Sequence, residues 1–121
     1  MIFLQGMNFT ILKQNSDFRR AYGRGKSYSD PALVTYVLKN NRAGICRFGV
    51  TTGKKIGNAV TRNRCRRIIT AAFSEISDDI RGGCDIIFVA RTRTAKLKST
   101  DVCEIMKRQL KSAGVLNEKG A

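Results

Sequence analysis

The centre of the chain reads FGVTTGKKIGNAVTRNRCRRII over residues 48–69. Its first part is rich in strand-forming residues, and after Asn58 the apolar residues recur with a spacing near 3.6. These apolar positions are Cys65, Ile68, Ile69, Ala72, Phe73 and Ile76. The pattern predicts a helix with one buried stripe, which begins after Asn58 as its N-cap and ends before Gly82 and Gly83.

Strand-forming residues lie on both sides of this helix. A run of them at 33–38 precedes a loop-like stretch at 40–44, and residues 45–52 are predicted to return as the second half of a hairpin. Residues 85–90, DIIFVA, are mostly apolar, as in a central strand that is covered on at least one face. The remaining predicted elements are a strand at 26–29, a helix near 15–23 and a helix near 99–113. The resulting order is αβββαβα.

The composition indicates one compact domain with an unusual charge. The 121 residues contain 23 Lys and Arg but only 9 Asp and Glu, which gives a formal net charge of +14. A body this small repels itself unless a polyanion accompanies it. The chain has no histidine, so the usual general base and the commonest metal ligand are missing. Because Cys46, Cys65, Cys84 and Cys103 form no C-x-x-C pair, we expect buried, reduced thiols.

Positive charge is concentrated in the middle of the chain. No acidic residue occurs between Asp30 and Glu75. This window holds nine basic residues, which are Lys39, Arg42, Arg47, Lys54, Lys55, Arg62, Arg64, Arg66 and Arg67. On a helical wheel, four polar residues share an arc of about 140° beside the apolar stripe. They are Arg62, Asn63, Arg66 and Arg67, and Arg64 projects from the other flank. Since an arginine can bind two phosphate oxygens at once, this face is predicted to bind a polyanion.

Two features of the sequence, the basic run and the aromatic residues, leave alternatives open. The basic run could be a solvated face, although such faces normally mix both signs. It could lie on a membrane surface, although its apolar stripe is needed for the core and it lacks an interfacial Trp. Phe18, Tyr22 and Tyr36 could stack on unpaired bases, although periodicity favours their burial in the core at least equally.

The motif KKIGNAVTRNRCRR at residues 54–67 closely resembles the signature of the bacterial ribonuclease P protein family. The aromatic residues upstream and the apolar strand downstream fall where that family has them, so the resemblance covers about residues 12–116. Two departures occur. Gly53 stands where many relatives have Ser, and Arg-Thr-Arg at 91–93 stands where relatives often carry Arg-Lys-Pro, so contacts from that loop stay unassigned.

The resemblance implies an α/β fold, more closely an α+β two-layer sandwich with a mixed four-stranded sheet similar to the second domain of ribosomal protein S5. It also implies a left-handed βαβ crossover from the strand ending near Thr52, through the arginine helix, to the strand at Asp85. That hand is rare. We divide the chain into an N-terminal extension at 1–11, expected to be flexible, one domain at 12–116 and a C-terminal tail at 117–121.

The same resemblance implies a cytoplasmic protein that joins a catalytic RNA. The holoenzyme would be an endoribonuclease that removes the 5′ leader from precursor tRNA, with Mg²⁺ held mainly by the RNA and no catalytic or metal-binding residue on the protein. By position, the residues that face the RNA are Lys54, Lys55, Asn58, Arg62, Asn63, Arg64, Arg66 and Arg67. The leader cleft is assigned to Phe18, Tyr22, Lys26, Ser27 and Tyr36. No membrane and no obligate protein partner are expected.

Two rival functions are weighed against this one. A ribosomal protein or general RNA-binding module of the same fold would explain the charge, but not the long motif and the aromatic residues before it. An autonomous nuclease would need a carboxylate cluster, for which Asp17, Asp30 and Asp85 are the candidates. These residues are far apart in sequence, and two of them have simple turn or capping roles.

Overall fold

The computed structural model describes residues 9–12, 14–40 and 46–116. The strands are β1 (Phe9–Ile11), β2 (Lys26–Asp30), β3 (Leu33–Lys39), β4 (Cys46–Thr51) and β5 (Cys84–Ala90). The helices are α1 (Asn15–Arg24), α2 (Ala59–Ile76) and α3 (Ser99–Ser112). Short 3₁₀ turns occur at Lys54–Ile56, Ser77–Asp79 and Thr92–Lys96.

The strands form one mixed sheet in the order β1-β4-β5-β3-β2. The central strand, β5, is parallel to β4 and antiparallel to β3. Its apolar sequence predicts a central strand that is covered on at least one face, and the structure buries it along almost its whole length on both faces. The order αβββαβα and the mixed four-stranded sheet are confirmed, and β1 adds a short edge strand parallel to β4.

Two predictions need correction. The predicted N-terminal extension, residues 1–11, is too long, because residues 9–11 form β1 and pair with β4. The hairpin between β3 and β4 is wrong, because β5 lies between these strands and pairs with both. Burial at the centre of the sheet removes more apolar surface from water for β5 than it would for the more polar β4, so the central position stabilises the fold more when β5 occupies it. Residues 1–8, most of the predicted loop at 40–44, and the tail at 117–121 lie outside the described residues.

The two faces of the sheet are covered unequally. Helices α2 and α3 cover one face, where Phe48, Phe73 and Phe88 form an aromatic stack with ring centroids 4.6 and 5.4 Å apart. Helix α1 covers the other face over a much smaller apolar cluster, whose buried members are Leu12, Ala21 and Ile87. The parallel β4-α2-β5 connection is the one that the resemblance implies, and its left-handed sense stays a prediction.

All four cysteines are buried and free, which confirms the sequence prediction. Cys46 and Cys84 lie opposite each other on β4 and β5 with their Sγ atoms 3.4 Å apart. The hydrogen bond with Cys84 and burial raise the pKa of Cys46, and burial raises the pKa of Cys65 and Cys103. These three thiols therefore stay protonated and unreactive. Among the described helices, none is long and apolar enough to cross a membrane.

Candidate nucleic-acid interface

The basic part of α2 starts from a well-defined N-terminus. The Asn58 side chain accepts a hydrogen bond from the Thr61 N–H at 2.9 Å, so Asn58 is the N-cap that the sequence predicts. Gly57 before it has a φ of +146°, a conformation that other residues rarely adopt. The first turn of α2 contains no acidic residue, so no carboxylate of its own offsets the positive end of the helix dipole.

The arginines of α2 and Asn63 point away from the core, as the helical wheel predicts. Cys65 and Ile69 are buried, and Arg62 is half-buried. Asn63, Arg64, Arg66 and Arg67 are exposed. Among the described residues, no ion pair joins any of these arginines to a carboxylate. The guanidinium groups are therefore available to an external anion.

Two hydrogen bonds order this surface. The Arg66 Nη1 donates to the Asn63 Oδ1 at 3.2 Å, and the Arg64 Nε donates to the Ala95 carbonyl oxygen at 3.0 Å. Lys54 and Lys55 are exposed in the 3₁₀ turn that leads into α2. We call the residues predicted to face the RNA the basic face. They are Lys54, Lys55, Asn58, Arg62, Asn63, Arg64, Arg66 and Arg67.

The loop after β5 adjoins the basic face through the Arg64 contact. Four of its basic residues are exposed, which are Arg91, Arg93, Lys96 and Lys98. Sequence reasoning noted the basic composition of this loop but could not place it, because the contact with α2 joins residues 31 positions apart. At the opposite end of α2 the charge reverses, with Glu75 in the helix and Asp78 in the next turn. Charge is thus separated along the axis of α2.

The predicted aromatic residues lie together on the α1 side of the sheet. The ring centroids of Phe18 and Tyr22 are 6.5 Å apart, and those of Tyr22 and Tyr36 are 4.8 Å apart at 76°. Tyr22 is 41% exposed, whereas Phe18 and Tyr36 are half-buried. Beside them lies an open groove of about 460 Å³, lined by Asn15, Phe18, Arg19, Tyr22 and Thr51. We call this groove, with Tyr36, the aromatic groove.

Strand pairing shows which side chains of the sheet lie on the groove side. Ser27 pairs with Tyr36, so it shares the groove side of the sheet. Lys26 pairs with Val37, so strand alternation places it on the opposite face, away from Tyr36. Thr51, which sequence reasoning missed, accepts a hydrogen bond from the Tyr22 hydroxyl at 3.5 Å. The alternation of β4 is the signal that could have found it.

The three acidic candidates for a nuclease do not form a cluster. The Asp85 Oδ1 accepts a hydrogen bond from the Arg47 Nε at 2.8 Å, and the Asp17 Oδ1 lies 3.5 Å from the Arg47 Nη1. Asp30 accepts from a backbone N–H of its own turn. The hydrogen bonds that Arg47 donates to Asp85 raise the pKa of Arg47. Arg47, counted among the nine basic residues, is therefore internally paired. Across the described ranges, no three His, Cys, Asp or Glu residues are grouped to hold a metal ion.

Comparison with known proteins decides the family. The family model for ribonuclease P matches residues 7–114. The chain belongs to the ribonuclease P protein family. It is 39% identical over 107 residues to the ribonuclease P protein component of Clostridium botulinum (strain Loch Maree / Type A3), covering 88% of this chain and 96% of that one. With the component of Clostridioides difficile (strain 630) it shares 39% identity over 105 residues, covering 86% and 91%.

Solved structures of ribonuclease P proteins share the fold. The Staphylococcus aureus RNase P protein superposes with a TM-score of 0.77 at 33% identity, covering 88% of this chain and 97% of that one. The Thermotoga maritima RNase P protein gives a TM-score of 0.74 at 25% identity, covering 85% and 96%. The chain is thus a protein component of the ribonuclease P holoenzyme, an endoribonuclease of tRNA processing, and its membership implies association with the RNA subunit.

Proposed function

We propose that this ribonuclease P protein docks on the catalytic RNA through its basic face and holds the 5′ leader of precursor tRNA in its aromatic groove. The RNA subunit cleaves the phosphodiester bond, and the protein extends substrate recognition beyond the body of the tRNA. The observation that carries this proposal is the pair of surfaces at the end of β4, where Thr51 lines the groove and Lys54 opens the basic face only three residues later.

Electrostatics supports the docking of the basic face on RNA. Its cations are exposed except for the half-buried Arg62, and no described carboxylate is ion-paired to its arginines. The N-terminus of α2 adds the positive end of its dipole. Phosphates would be bound by the guanidinium groups and by the free backbone N–H groups of the first turn. Such contacts carry no base sequence, which suits a surface whose task is to assemble with a folded RNA.

The geometry of the aromatic groove supports the binding of a single strand. A base needs a flat, partly exposed ring on which to stack, and Tyr22 offers one. Tyr36 packs edge-on against Tyr22 and holds that ring in place. Arg19 and the Thr51 hydroxyl lie at the groove for contacts with the sugar and phosphate. A paired duplex presents no free base faces, so the groove favours the unpaired leader.

We propose that Mg²⁺ is held mainly by the RNA. Asp17 and Asp85 both face the Arg47 cation, and such a site does not fit a protein-held Mg²⁺ ion. The protein would act on the metal indirectly, by reducing the repulsion between the leader and the catalytic RNA. The four free thiols support a location in the reducing cytoplasm.

The test compares precursor and mature tRNA with the reconstituted holoenzyme. We expect the precursor to bind more tightly, by about 1–3 kcal/mol for each stacked leader base. Addition of the protein should also increase cleavage at low Mg²⁺. Equal affinities for the two tRNAs, or no increase in cleavage, would contradict the proposal. Binding to ribosomal subunits in the absence of ribonuclease P RNA would instead favour the rival ribosomal role.

A further inference from the structure

Helix α1 carries two of the groove aromatics but rests on little apolar surface. Its buried contacts are confined to the small cluster around Ala21 and Ile87, whereas α2 and α3 share the large core. Phe18 lies so close over Gly49 that a Cβ at that position would come within 2.7 Å of the Phe18 ring. A small displacement of α1 would therefore move both Phe18 and Tyr22 relative to the sheet.

An ion network ties the first turn of α1 to the sheet. Arg47 of β4 donates a bidentate pair of hydrogen bonds to Asp85 of β5 and also faces Asp17 of α1. The side chains of Arg47, Asp85 and Asp17 are only 11%, 2% and 16% exposed. The Asn40 amide donates to the Asp85 Oδ1 at 2.7 Å. Removal of water strengthens such interactions and fixes the geometry of the groups that make them.

Asp17 has two cationic neighbours. Its Oδ1 lies 3.9 Å from the Nη1 of Arg20, which is one turn further along α1, and 3.5 Å from the Nη1 of Arg47. The contact with Arg20 stays within α1, and the Arg20 side chain is half exposed, so this pair contributes little. The contact with Arg47 is the one that joins Asp17 to the sheet.

We propose that Asp17 is a positioning residue for leader binding. Through Arg47 it fixes the first turn of α1 on the sheet, so that Phe18 and Tyr22 stay at stacking distance from a leader base. This inference rests on the proposed function of the aromatic groove. It assigns to Asp17 no contact with RNA.

The test is Asp17→Ala in the reconstituted holoenzyme, with Asp17→Asn as a milder variant that keeps the side-chain shape. We expect affinity for precursor tRNA to fall about three- to ten-fold with Asp17→Ala and less with Asp17→Asn, in the range of coupling energies between contacting residues. Affinities for mature tRNA and for the catalytic RNA should not fall. The matched control is Glu104→Ala, which removes one negative charge from an exposed position on α3.

A double-mutant cycle with Tyr22→Ala separates positioning from other effects. If Asp17 acts through the aromatic rings, Asp17→Ala should cause a smaller loss in the Tyr22→Ala background than in the wild type, because only Phe18 is left to position. Equal losses for precursor and mature tRNA would indicate a general structural role and overturn the inference, as would unchanged or tighter precursor binding with both Asp17 variants. If the wild-type holoenzyme does not distinguish the two tRNAs, the proposed function of the groove fails instead.

Discussion

The basic face and the aromatic groove differ in chemistry and in how firmly the fold supports them. The basic face sits on α2, which is held by the large core, and in the proposed function it acts through charge at long range. The aromatic groove sits partly on α1, which is held by a small cluster and an ion network, and in the proposed function it acts mainly through stacking at short range. Salt screens interactions between exposed charges beyond about 8 Å at physiological ionic strength and affects stacking much less. The proposed function therefore predicts that assembly and leader selection are separable.

The largest effect is expected for the basic face and its affinity for the catalytic RNA. Arg67→Glu replaces an exposed cation of the basic face with an anion. We expect affinity for the catalytic RNA to fall about ten- to a hundred-fold at low salt, because hydrogen bonds to charged groups contribute about 1.5–3 kcal/mol each. The slope of log affinity against log salt should become shallower by about one for each lost phosphate contact. Filter binding or calorimetry over a salt series measures both quantities.

Lys107→Glu is the control, since it makes the same change in net charge on α3 beside Glu104. It should affect affinity far less than Arg67→Glu does. Equal losses from the two variants, or a wild-type affinity that does not respond to salt, would mean that overall charge or a non-electrostatic contact governs assembly. Arg64→Glu should also loosen the loop that its side chain holds through Ala95.

The next largest effect is expected for the aromatic groove and its affinity for precursor tRNA. Tyr22→Ala removes the most exposed ring of the aromatic groove and should weaken precursor binding by about 1–3 kcal/mol with little change for mature tRNA. Tyr22→Phe keeps the ring and loses only the 3.5 Å hydrogen bond to Thr51, so its binding should stay close to that of the wild type. The ratio of precursor to mature affinity should depend less steeply on salt than the affinity for the catalytic RNA does. A loss shared by both tRNAs would place Tyr22 outside leader recognition.

The same comparison shows which parts of the molecule could be predicted from sequence. The elements that local pattern controls were predicted well, because periodicity and an N-cap act over a few residues. The buried stripe of α2 and the Asn58 cap are examples. Strand pairing joins distant segments, so the insertion of β5 between β3 and β4 and the edge strand β1 were not predicted.

The residues of the site were harder to predict from sequence, because charge pairing and strand faces depend on distant segments. Arg47 counts as a cation in the sequence, but Asp85 is brought to it only by the pairing of β4 with β5. Lys26 is assigned to the leader cleft by the resemblance, yet its pairing with Val37 places it on the opposite face of the sheet from Ser27. Thr51 lines the groove because Phe18 and Tyr22 of α1 lie beside it. These three differences concern which residues meet in space, and local sequence pattern does not determine that.

The smallest effect tests whether one residue serves both stability and binding. Asn58 caps α2 and also belongs to the predicted RNA contacts. Asn58→Ala should lower the free energy of unfolding by about 1 kcal/mol, and Asn58→Asp should largely keep that stability, because Asp is also a good N-cap. The aspartate would, however, place a negative charge where phosphate is expected. Asn58→Asp should therefore bind the catalytic RNA more weakly than Asn58→Ala while unfolding at a higher temperature. Thermal unfolding and RNA titration of both variants test whether the more stable variant is also the weaker binder. If RNA affinity follows stability in the two variants, Asn58 contributes to binding only as a cap, and the phosphate sites lie further along α2.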